Sequence, residues 1–97
     1  MNFAEKHKLL VSILEQSDKV NSFNNGDRIE SDSIAHGLID MEESFKVIIN
    51  EALPALLNSK DQEAIDEILN KITQELQHIV YHINDSGYFK TVIELLE

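Results

Sequence analysis

Residues 65–83 read Ile65-Asp66-Glu67-Ile68-Leu69-Asn70-Lys71-Ile72-Thr73-Gln74-Glu75-Leu76-Gln77-His78-Ile79-Val80-Tyr81-His82-Ile83, and this stretch decides the fold. Ile65, Ile68, Ile72, Leu76, Ile79 and Ile83 recur at steps of 3, 4, 4, 3 and 4, which keeps them on one side of an α-helix. Leu69 and Val80 widen the stripe, and no Gly or Pro interrupts it. Ser59-Lys60-Asp61-Gln62 reads as a capping box at its start. Asp85-Ser86-Gly87 reads as its stop, with Gly87 suited to a left-handed C-terminal position. The expected helix covers residues 60–84.

A second seam lies upstream. Ile34, Leu38, Met41, Phe45, Ile48 and Ala52 follow steps of 4, 3, 4, 3 and 4. Ser31 or Ser33 is the expected cap, with Asp32 favourable near the positive end of the helix. Pro54 lacks an N–H and restrains the residue before it, so this helix, 32–53, is expected to end or kink near Leu53. Ala55-Leu56-Leu57 then forms a last turn or a short cap.

Two shorter helices complete the set. Residues 2–16 carry Phe3, His7, Leu10, Val11 and Leu14 on one side, and 88–96 carry Phe89, Val92, Ile93 and Leu96. Between the first two helices, residues 17–30 are polar and contain Asn24-Asn25-Gly26-Asp27, read as the main loop. No β-hairpin pattern competes. The chain, 1–97, is expected to be a single all-α domain, a small antiparallel bundle of about four helices.

Composition narrows the function. The net charge is −10, and its placement is uneven. Residues 1–30 hold five acids and four bases, whereas 31–97 hold thirteen acids and four lysines, on the same helices that carry the seams. With a single Arg, neutralising phosphates is not a role for this chain, so nucleic acid and anionic membranes are not expected partners. The absence of Cys excludes disulfides, thiolate metal sites and cysteine nucleophiles, and fits a reducing, cytoplasmic setting. No apolar run approaches the ~20 residues of a membrane span. Neither a nucleophile motif nor a phosphate-cradling loop is present, so no enzyme activity is expected.

Three constellations remain. Glu75, His78 and His82 share one side of the third helix as Glu-x-x-His plus one further turn, the candidates if a metal is held, although no cofactor is required by the sequence. His36, Asp40 and Glu43 line the second helix opposite its seam. A histidine-phosphotransfer helix would carry Lys and Gly three and four residues after its His; Ile39 and Asp40 stand there instead. The third is an acidic outer face bearing Glu63, Asp66, Glu67 and Tyr81, with Asp40, Glu43 and Val47 on the second helix. Tyrosine amid acids and amides has the composition of an interface anchor. In size and charge the chain resembles bacterial immunity and antitoxin proteins. That resemblance implies a non-enzymatic module whose acids engage a basic protein partner. A self-assembling adaptor, a homodimer built on the two seams, is the alternative from another class.

Overall fold

The computed structural model describes residues 1–24, 26 and 28–96. It is all-helical, with no strand among the described residues. In chain order the elements are α1 (Phe3–Leu14), α2 (Asp18–Asn24), α3 (Ile29–Val47), a π-helical turn (Ile48–Ala52), α4 (Leu53–Leu57), α5 (Gln62–Asp85) and α6 (Gly87–Leu96).

Local chemistry explains most of these boundaries. Asn2 caps α1, its side-chain oxygen accepting from the Glu5 N–H at 2.8 Å. At α5 the cap is Asp61, which accepts from the Ala64 N–H at 2.8 Å, so the helix starts two residues later than the capping-box reading placed it. Ser59 instead turns back to the end of α4, where its hydroxyl donates to the Ala55 carbonyl at 2.8 Å.

Pro54 does not end the second helix. The backbone continues from Ile29 to Leu57, and the strain is absorbed one turn earlier, where Leu53 N–H reaches back five residues to the Ile48 carbonyl. Widening the turn accommodates a residue that cannot donate and whose ring crowds the preceding turn. Pro54 then sits in the first turn of α4, a position that needs no N–H.

The expected loop at 17–30 contains α2. Its start is capped by Ser17, whose Oγ accepts from the Val20 N–H at 3.3 Å. Its end is tied down by Asn24, which is buried. Asn24 Nδ2 donates to Ser31 Oγ at 2.8 Å, and its Oδ1 accepts from the Ser31 N–H at 3.0 Å. The side chain therefore satisfies one of the orphan N–H groups in the first turn of α3. Ser31 is accordingly inside the helix and fully buried, not the cap expected for it.

The α5–α6 junction is also corrected. Gly87 opens α6, and the left-handed glycine is Gly26, with φ of 91°. Ser86 makes the corner: its Oγ accepts from the Phe89 N–H at 3.2 Å and donates to Glu30 Oε1 at 2.8 Å. The same Glu30 oxygen accepts from the Tyr88 N–H at 2.8 Å, so an acid from α3 sits at the N-terminus of α6.

α3 and α5 form the longest contact, and their partners run in reverse order. Glu30 meets Ser86, Ser44 meets His78, and Glu51 meets Lys71. α1 lies on another side of α3, joined by Lys6 to Glu42 at 2.9 Å and by an Arg28–Glu15 ion pair at the far end. The buried apolar set is small: Val11, Val20, Ile34, Ala35, Ile39, Met41, Ala52 and Ile79. Of the α5 seam only Ile79 is fully buried. In the α3 seam Leu38 and Phe45 remain exposed, while Ala35, Gly37 and Ser44 are covered instead. The covered face of α3 is thus wider than the seam, because α1 and α5 approach it from two directions.

Candidate functional site

Where α3 crosses α5, three imidazole rings and a carboxylate converge. At Gly37 the α3 backbone comes close to α5; a Cβ placed there would stand 3.5 Å from His82 Cβ. His82 fills that space and is 7% exposed. Its Nε2 lies 3.1 Å from Asp40 Oδ2 and 3.1 Å from His78 Nε2. His36 reaches the same Asp40 oxygen with its Nε2 at 3.0 Å. Behind His78, the buried Ser44 hydroxyl lies 2.8 Å from Nδ1.

The rings form one continuous chain. His78 meets His82 edge-on with centroids at 4.6 Å, His82 meets His36 at 5.8 Å, and Phe3 covers His36 at 5.4 Å. Phe3 also stacks on His7 at 5.9 Å, so all four histidines belong to the cluster or its lid.

This arrangement redistributes the residues singled out by sequence. His78 and His82 come together as expected for one turn of helix. Their carboxylate partner is Asp40 from the facing helix, not Glu75 from their own: the group able to hold a metal is Asp40, His78 and His82, with ligand atoms all within 4.8 Å of one another. Glu75 sits a turn below on α5, whereas Asp40 projects at the level of His82. Asp40 is therefore not part of an outward acidic face but turns toward α5, while His36 stays exposed at the rim with its Nε2 on the Asp40 carboxylate. Val47 is half-buried, whereas Glu43 stays exposed and lies 3.7 Å from Lys46. Glu63, Asp66, Glu67 and Tyr81 do remain on the surface, Tyr81 with 61% of its area exposed.

Glu42 is held below the usual carboxylate range, first by its hydrogen bond from Lys6 and then by the nearby charge of Lys46.

Chemically, the cluster offers two imidazole nitrogens and one carboxylate oxygen. In a tetrahedral site with metal–ligand bonds near 2.0–2.1 Å, neighbouring ligand atoms stand about 3.3 Å apart. The 3.1 Å separations from His82 to Asp40 and to His78 are within 0.2 Å of that edge. With its proton on Nδ1, toward Ser44, His78 presents the Nε2 lone pair to the shared centre; such a second partner fixes the tautomer of a metal-binding His. A hydrolytic triad is a poor description. Ser44 is 2% exposed and meets its histidine through Nδ1, the nitrogen a triad base turns toward its acid.

Among the described residues, no helix is long and apolar enough to cross a membrane. No family model, curated protein or solved structure matches this chain.

Proposed function

We propose that the chain is a metal-binding helical protein, holding one divalent transition metal between Asp40, His78 and His82. One observation carries this reading: three ligand atoms of the right types, from two facing helices, lie within 4.8 Å of one another, and His82 Nε2 stands at tetrahedral-edge spacing from the other two. Two imidazoles and one carboxylate suit Zn(II), Fe(II) or Co(II), and leave a fourth position open. The accessible side of His78 gives that position a route to solvent. His36, hydrogen-bonded to the shared Asp40 oxygen, orients the carboxylate from outside. We read the scaffold as a small antiparallel bundle, in which α3 and α5 present the site across their contact.

The test is direct. Chelator-treated protein titrated with Zn(II) or Co(II) is expected to take up one equivalent, with Co(II) developing the visible bands of a tetrahedral centre. Asp40→Asn and the His78→Ala/His82→Ala pair should each lose that uptake while keeping the helical circular dichroism. Equal binding by wild type and both variants refutes the site, as does no binding by the wild type.

A second reading concerns the outer face of α5. Glu63, Asp66 and Glu67 are exposed, and no ion pair is formed by any of them among the described residues. Together with Tyr81 they support a role as an acidic module for a basic protein, in the manner of an immunity protein. Retention of a basic protein from lysate at low salt, released by salt and lost in Glu63→Lys/Glu67→Lys, would test it; retention unchanged in that variant would refute it.

A further inference from the structure

The shape of the chain is at odds with a self-sufficient monomer. Its extents are 54 × 35 × 15 Å, no thicker than two helices in contact. The radius of gyration is 16.6 Å, against about 12.5 Å for a compact chain of this length. The accessible surface is 6850 Å², whereas a folded monomer of 11.1 kDa exposes about 5,650 Å². The excess is about 1,200 Å² per chain, above the roughly 800 Å² per partner of a standard interface and in the range of homodimers.

Much of that excess has an address. Leu38, Phe45 and Ile49 along α3 and the π turn, and Leu69, Leu76 and Val80 on α5, are each between 38% and 59% exposed. On a wheel of about 100° per residue, both sets lie clockwise of the α3–α5 contact line when each helix is viewed from its own N-terminus. Since the contacts run in reverse order along the two helices, the two arcs fall on the same side of the layer. The histidine cluster lies on the other side. The six residues thus make one apolar face two helices wide, with Leu38 at the edge of α1 and Phe45 and Ile49 past the Lys6–Glu42 pair.

We propose that this face is occupied by a second copy of the chain. Its area matches what a stable dimer buries. Its charge argues the same way: the α5 arc through Ile65, Leu69, Ile72, Thr73, Leu76 and Val80 contains no charged residue, in a chain of net −10. The acid at the edge of the face, Glu42, is already paired with Lys6, so two copies can meet there with little opposition of charge, whereas a basic partner finds no acid at its centre to recognise. Pairing the face with itself about a twofold axis stacks two α3–α5 layers into one core and covers both seams at once.

Sedimentation velocity on the full chain, from about 1 to 100 µM, tests the proposal. Wild type is expected to run at about 22 kDa, twice the 11.1 kDa of the chain. Phe45→Glu and Leu76→Glu, at positions already 47% exposed, should each shift the mass to 11.1 kDa with helicity retained. Tyr81→Glu, on the acidic outer face, should leave the dimer intact. A wild type that stays monomeric throughout, an assembly larger than two, or a dimer that survives both glutamates overturns the proposal. None of these outcomes bears on metal uptake.

Discussion

Asn24→Ala is the sharpest test of how the chain is held together. The side chain is 3% exposed and makes three hydrogen bonds, two of them to Ser31 and one, at 3.2 Å, to Asn21. Truncation leaves the Ser31 N–H and hydroxyl without partners at a position with 0% exposure. A buried polar group stripped of its partner costs about 1–3 kcal/mol, and two are stripped here, one of them a first-turn N–H of α3. Allowing for partial rehydration, the expected loss is about 2–4 kcal/mol. That is a large share of the roughly 5–15 kcal/mol available to a chain of this length. Urea denaturation at fixed protein concentration should show a lowered midpoint, and thermal unfolding a Tm lower by at least about 8 °C. Asn21→Ala, an exposed neighbour, is the control and should cost much less. A loss below about 0.5 kcal/mol for Asn24→Ala would show that α2 is not anchored through Ser31 and would refute the argument.

Other outcomes follow from the same geometry. Glu30→Ala removes the acceptor for both Ser86 Oγ and the Tyr88 N–H; α6 should lose amide-exchange protection while α3 and α5 keep theirs, and uniform loss would contradict a local staple. Gly37→Ala should be neutral or stabilising by up to about 1 kcal/mol, because its Cβ meets His82 at ordinary contact distance and a mid-helix glycine is unfavourable; strong destabilisation would mean the α3–α5 approach is tighter than described. Glu42 should titrate below the ordinary carboxylate range and move back upward in Lys6→Met, followed by NMR. Since its folded-state value is depressed, its small stabilising effect is complete above the ordinary range and fades as pH falls through the lowered one. Metal uptake at Asp40, His78 and His82 should weaken in acid, because protons compete for the same lone pairs; uptake indifferent to pH between 5 and 7.5 would argue against imidazole ligands.

The helical class, the long 62–85 helix and the pairing of His78 with His82 were all legible in the chain, for one reason. Each depends on spacing along a single helix, and 3.6-residue periodicity converts spacing into a shared face. The misreadings have a common cause as well. Pro54 was legible as an end or a kink near Leu53, but local rules do not show that a π turn one step earlier absorbs it and lets the backbone continue. α2 was hidden because its anchors, Asn24 to Ser31 and Ser17 to Val20, are polar and leave no apolar period. Asp40 looked solvated because a single helix cannot show that α5 will cover its side.

The amino-acid order alone therefore determined the helical class, where the two long helices run, which of their edges are apolar, and where the negative charge is carried. Tertiary structure alone decided which carboxylate joins the two histidines and which half of each seam is left uncovered. Both are set by the rotation and reversed register of α3 against α5, a relation between residues about forty positions apart that no local pattern encodes.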